Sequence, residues 1–154
     1  MLHPFTDSGY SSLTAIGPDG KQLWAVIPGY GIRDLAVDTN NDLILALTGR
    51  QLAKVSGKDG SLVWTTSLTD VKDNDIKYLF LDAEGKIYVC TEKYHSIEVG
   101  YFFIIDSEGI QLDCELVEIS GSPLYFKNPV LCPDGRLCQM WYTSYSRHYL
   151  AKFS

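Results

Sequence analysis

The sequence predicts an all-β protein of β-propeller type, made of four-stranded antiparallel blades, and three observations carry that prediction. Two kinds of short hairpin alternate along the 154 residues. The turn glycines of one kind recur at 20, 60 and 109, spacings of 40 and 49 residues, which is the length of one four-stranded blade. No segment keeps an amphipathic 3.6-residue period over 11 or more residues, so almost no helix is expected.

The first kind of hairpin reads "LAVDTNNDLILAL" (35–47), "LFLDAEGKIYVCT" (79–91) and "PVLCPDGRLCQMW" (129–141). The second reads "LTAIGPDGKQLWAVI" (13–27), "LAKVSGKDGSLVWTT" (52–66) and "FFIIDSEGIQLDCEL" (102–116). An acidic residue before glycine is turn chemistry: glycine takes the positive φ that closes a short hairpin, and the carboxylate accepts local amides. Gly85 and Gly135 mark two turns of the first kind, and Asn41 with Asp42 stands in for the third.

If the first kind joins strands A and B and the second joins C and D, the chain runs C, D, then A to D twice, then A, B, C. That is about three blades plus an extra strand, at 12–28, 33–68, 76–117 and 125–154 of one partial propeller domain. The B strands "LILAL" and "IYVC" are apolar at consecutive positions, as befits a strand covered on both faces. The third D strand, "QLDCEL", alternates apolar residues with Asp113 and Glu115, the pattern of an outer edge protected by charge. A β-sandwich would also have short strands and frequent turns. The shared register of Trp24 and Trp64, each four residues after its turn glycine, favours the propeller.

A formal net charge of -6 with no concentrated basic run argues against a nucleic-acid partner. No run of 18 apolar residues predicts a membrane span, and the start "MLHPFTDSGY" lacks the regions of a signal peptide, which favours the cytoplasm. The cysteines 90, 114, 132 and 138 include no C-x-x-C pair. A three-residue loop at Pro133–Gly135 would set Val130 opposite Cys138 and leave Cys132 and Cys138 out of register, so free thiols are expected.

The acidic-glycine turns would all lie on one face, and the irregular connections on the other. Loops on a rigid scaffold are where binding residues collect. The candidate binding surface there is Tyr30, Arg33, Arg50, Lys93, Tyr94, His95, Tyr145, Arg147 and His148, with Tyr125 adding aromatic surface. His95 and His148 could each act as a base or ligand, but neither has a nucleophile or second ligand at fixed spacing. The acidic loop "DVKDNDIK" lacks the glycine and glutamate of an EF-hand.

Residues 13–26 and 52–66 resemble the quinoprotein (PQQ-like) repeat, while "IRDLAVDTNNDLILAL" and "YLFLDAEGKIYVCTEKYHSI" resemble the NHL and gluconolactonase-like propeller repeat. The quinoprotein resemblance implies a tryptophan docked between blades; Asp113 replaces it in the third repeat. The adjacent cysteine pair of pyrroloquinoline quinone enzymes is missing, so no cofactor is expected. The gluconolactonase-like resemblance implies an alternative: one divalent cation such as calcium, held by Asp34, Asp75 and Asn128, in a metal-dependent lactonase or esterase-like hydrolase. The primary expectation is a non-enzymatic binding or scaffold module presenting its loop-rich face to a protein or carbohydrate. A homodimer is expected to complete the ring, since C and D at one end complement A and B at the other.

Overall fold

The computed structural model describes residues 11–69, 74–93, 99–118, 124–126, 130–131, 137–143 and 148–153. Blade 1 is a two-stranded sheet of β1 (Leu13–Ile16) and β2 (Gln22–Val26). Blade 2 contains β3 (Ile32–Val37), β4 (Leu43–Leu47), β5 (Gln51–Val55) and β6 (Leu62–Ser67) in that spatial order. Blade 3 repeats it with β7 (Asn74–Leu81), β8 (Ile87–Lys93), β9 (Val99–Ile105) and β10 (Gln111–Glu118). In these three blades all pairings are antiparallel between sequence neighbours, and no helix occurs among the described residues.

Blade 4 holds β11 (Leu124–Phe126), β12 (Val130–Leu131), β13 (Leu137–Thr143) and β14 (His148–Phe153). Both β11 and β12 pair with β13, so two short strands share the A position. The sequence between them includes Pro129, which has no N–H to give a ladder. Val130 sits opposite Cys138, the register expected for that hairpin. β13 then pairs with β14, which occupies the C position.

The turn chemistry follows the sequence. Gly20, Gly60, Gly85 and Gly109 have φ of 79°, 76°, 81° and 83°, and Asn41 takes φ 64° where the 38–42 turn has no glycine. Asn tolerates this left-handed conformation better than most residues, which is why "TNND" closes as the glycine turns do.

Packing explains the apolar B strands. Leu45 and Leu47 of β4 pack towards blade 1 with Leu13, Trp24, Ala53 and Val55. Ile44 and Ala46, on the opposite face, pack towards blade 3 with Leu79, Ile87, Val89, Phe103 and Ile105. In β8, Ile87 and Val89 face blade 2, whereas Cys90 faces the other way with Phe102, flanked by Tyr78, Phe80 and Tyr88. β4 thus buries both faces between blades, and β8 carries buried residues on both of its faces, which their continuous apolar runs require. At roughly 1.5–3 kcal/mol per buried aliphatic side chain, these seams are the main stabilising term.

Candidate binding surfaces

On the turn face, Asp38, Asp82 and Asp106 each open a turn and accept its amides, whereas Gly17 and Ser56 open the C-to-D turns of blades 1 and 2. Asp82 Oδ1 accepts the N–H groups of Glu84 (3.0 Å) and Lys86 (2.8 Å), and Asp106 Oδ1 accepts those of Glu108 (3.0 Å) and Ile110 (2.8 Å). Asp38 Oδ1 does the same for Asn40 (2.8 Å) and Asp42 (2.9 Å). The second oxygen of Asp38 lies 2.8 Å from Lys54 Nζ, and Asp42 Oδ2 lies 3.5 Å from the same ammonium.

Lys54 and Asp38 side chains are each only 10% exposed, so this is a largely buried pair. Burial pushes the Asp38 carboxyl up, but Lys54 and the turn amides outweigh it and hold it below its ordinary value. The bond to Asp38 pushes the Lys54 ammonium up against the opposing pull of burial.

Between blades 2 and 3 this face opens into a cleft of about 190 Å³. Asp38 and Asn40 line one wall, and Glu84, Ser107 and Glu108 the other, over a floor that includes Lys54 and Leu81. Its mouth is acidic and its one lysine is already paired. The cleft holds no nucleophile paired with a base, and no cluster of three or more His, Cys, Asp or Glu able to hold a metal occurs among the described residues. Sequence reasoning did not single out Lys54 or this cleft; the only local signal was a charge inside the otherwise apolar strand "LAKV".

On the loop face, the connection before β3 and the β4–β5 turn are bound together. Gly31 N–H donates to Thr48 Oγ1 (3.1 Å), and Thr48 N–H donates to the Gly31 carbonyl (2.8 Å). Tyr30, 43% exposed, lies with its hydroxyl 3.5 Å from Gln51 Nε2. Arg50 adopts φ 64°, a left-handed conformation that side chains other than Asn, Asp and glycine rarely take. Arg33 is exposed and bonds Asp75 Oδ2 at 2.8 Å. Tyr30, Arg33 and Arg50 therefore belong to one face, with Tyr30 and Arg50 on adjoining turns. Tyr94, His95, Tyr145 and Arg147 lie outside the described residues, as do the side chains of Lys93 and His148 on β8 and β14.

Asp34 sits after a β-bulge in β3. Its Oδ1 accepts the Leu35 N–H (2.9 Å) and its Oδ2 the Leu79 N–H of β7 (2.8 Å), so the carboxylate joins blade 2 to blade 3. Asp75 is the ion-pair partner of Arg33, and Asn128 lies outside the described residues. A bulge re-aims a side chain in a way that sequence alone does not show, so this bridging role was not legible.

No protein-family model and no curated protein sequence matches the chain. Solved structures do. The Dos1 propeller is similar over 94% of this chain and 41% of its own, at 13% identity and TM-score 0.65. BamB from Moraxella catarrhalis is similar over 96% of this chain and 51% of its own, at 15% identity and TM-score 0.56. The C-terminal WD40 domain of Sif2 gives 90%, 39%, 14% and 0.58 on the same measures. The chain spans about half the length of these structures or less. Four-stranded antiparallel sheets in sequential order, packed face to face, together with these likenesses, establish a β-propeller fold, here a partial one.

Proposed function

We propose that the chain is a non-enzymatic binding or scaffold module of β-propeller type whose loop-rich face takes a protein or carbohydrate partner. The observation that carries this reading is the Tyr30–Arg50 platform: two adjoining turns cross-bonded through Gly31 and Thr48, one carrying the exposed Tyr30 and the other the half-exposed Arg50. A flat ring suits a sugar face or an apolar side chain, and arginine suits a carboxylate or hydroxyl partner. The propeller neighbours support a scaffold of this kind in their fold alone.

A glycan array and a panel of immobilised peptides, probed with the wild-type chain and with Tyr30→Ala, test the reading. A ligand held by the wild type and weakened about tenfold, or 1.4 kcal/mol, in the variant supports it. Binding indifferent to Tyr30 and Arg50 overturns the placement, and calcium-dependent hydrolysis of a lactone or aryl ester overturns the non-enzymatic assignment. Closure by a second copy, expected from strand order, is read as twice 17.2 kDa in light scattering.

A further inference from the structure

Among the described residues, the left-handed backbone positions are held by six glycines, by Asn41 and by Arg50. Glycine and asparagine accept that conformation readily; an arginine does not. The hairpin, rather than the side chain, imposes the angle. Leu47 pairs with Gln51, so residues 48–50 must reverse the chain in three positions. Gln51 is also paired with Ser67 of β6, and the Arg50 carbonyl accepts the N–H of buried Leu68 at 3.0 Å. On its other side the loop is tied to the connection before β3 through Gly31 and Thr48. Both flanks fix the backbone, so any residue at 50 must take the left-handed form, and arginine takes it under strain.

What arginine supplies there, and glycine or asparagine cannot, is a permanent charge. Arg33 is neutralised by Asp75 at 2.8 Å, whereas no carboxylate among the described residues pairs with Arg50. The chain carries 19 acidic against 13 basic residues, yet this guanidinium is left open. Its planar fork of donors matches a carboxylate held through two parallel hydrogen bonds. On the adjoining turn, Tyr30 is 43% exposed and its hydroxyl lies 3.5 Å from Gln51 Nε2, which sets an aromatic surface against the residue that follows Arg50.

We infer that the occupant of this platform is an acidic peptide segment of a partner protein, with an Asp or Glu carboxylate on Arg50 and the neighbouring apolar side chain against Tyr30. The inference rests on the binding-module reading and selects between its two partner classes. A neutral sugar leaves the charge on Arg50 uncompensated; a carboxylate cancels it. The net charge of -6 does not prevent the approach. The acidic turn 38–42 lies at the far end of β4, five residues or roughly 16 Å away, beyond the screening length of about 8 Å at physiological salt.

The test is amide-resolved NMR of the full chain titrated with the peptide acetyl-Gly-Ser-Glu-Leu-Ser-Gly-amide and with its counterpart in which Gln replaces Glu. Saturable shifts at residues 29–31 and 49–51 are expected with the glutamate peptide, and binding about tenfold weaker with the glutamine one. Arg50→Asn is expected to lose those shifts and also to unfold at higher urea than the wild type, since Asn41 holds the same φ of 64° without that strain. Arg50→Lys, which keeps charge and strain but lacks the planar fork, should unfold at the wild-type urea concentration and bind several-fold more weakly. Equal binding of the two peptides, binding retained in Arg50→Asn, or no shift with either peptide overturns the inference. So does a loss of stability in Arg50→Asn, which would make the arginine a structural strut. A neutral glycan whose binding falls in Tyr30→Ala but not in Arg50→Asn overturns the acidic partner and leaves the binding module standing; if neither peptides nor glycans bind at this face, both readings fall.

Discussion

Blades 2 and 3 solve one problem in two ways. In both, a carboxylate at the start of the A-to-B turn uses one oxygen to accept turn amides, and the other oxygen needs a donor in a half-buried place. In blade 2 the donor is Lys54, and the network runs on through Asp42 Oδ1 to Gly57 N–H (3.1 Å), whose carbonyl holds Trp24. In blade 3 the donor is the Tyr88 hydroxyl, 2.9 Å from Asp82 Oδ2, and Ile104 fills the place that Lys54 occupies in blade 2. A repeat therefore specifies the acceptor strictly and the donor loosely. The ionic version ties two turns and the incoming tryptophan into one unit; the phenolic version stays within its own hairpin and adds its ring to the Phe80 stack, 5.1 Å between centroids.

If blade 2 is the more connected node, the largest loss comes from removing the residue that caps it. Trp24, 8% exposed, packs on Gly60 and Val55 from another blade. Trp24→Ala is expected to cost about 3–5 kcal/mol in urea unfolding. Trp64, only partly buried over Gly109, is expected to cost about 2 kcal/mol on the same substitution. Equal losses at the two positions would mean that the turns, rather than the network behind them, set the strength of the blade contacts.

Next in size is the ion pair itself. Lys54→Ile, which copies the Ile104 arrangement, leaves Asp38 without its donor and is expected to cost about 3 kcal/mol. Adding Ile44→Tyr, the residue equivalent to Tyr88, returns a hydroxyl donor beside the cleft and is expected to recover part of that loss. If the double variant is no better than the single one, the two solutions are not interchangeable and the rest of each blade has adapted to its own. The acid limb sharpens the contrast. Because the Asp38 carboxyl is held below its ordinary value of 3.8 in the fold, its contribution is complete above that pH and is lost as pH falls through the lowered value. Lys54→Ile should therefore flatten the acid side of the stability profile.

How much of this was legible varied with the range of the interaction. Turn glycines, strand order and the doubly covered B strands follow from local chemistry, and "LDAEGKIYVC" reads correctly as β7, turn and β8. The equal register of Trp24 and Trp64 was visible, but their acceptors, Gly57 and Ser107, lie 33 and 43 residues away and depend on how blades stack. Lys54 was illegible for a related reason: its burial comes from Asp38 and from the walls of the next blade. Asp34 stood out as a carboxylate before an A strand, a position that suits an ion or an amide equally well until the bulge and the Leu79 N–H are seen.

The smallest expected effect isolates the phenolic node. Tyr88→Phe keeps the ring against Phe80 and Phe102 and removes one hydrogen bond, a loss of about 1 kcal/mol near neutrality. Its signature lies at high pH. Burial, then the bond to Asp82, pushes the Tyr88 hydroxyl from 10.0 up to about 12. The unfolded chain therefore ionises first as pH rises, so this part of the stability is whole below about 10 and drains away between 10 and 12. Lys54, also raised above its ordinary 10.5, adds a loss in the same direction, but from blade 2. Tyr88→Phe should remove one part of the alkaline decline and Lys54→Ile the other, each leaving its neighbour's in place. An alkaline limb unchanged by Tyr88→Phe would show that the hydroxyl is not held by Asp82 in solution, and the distinction between an ionic and a phenolic blade would collapse to the lysine alone.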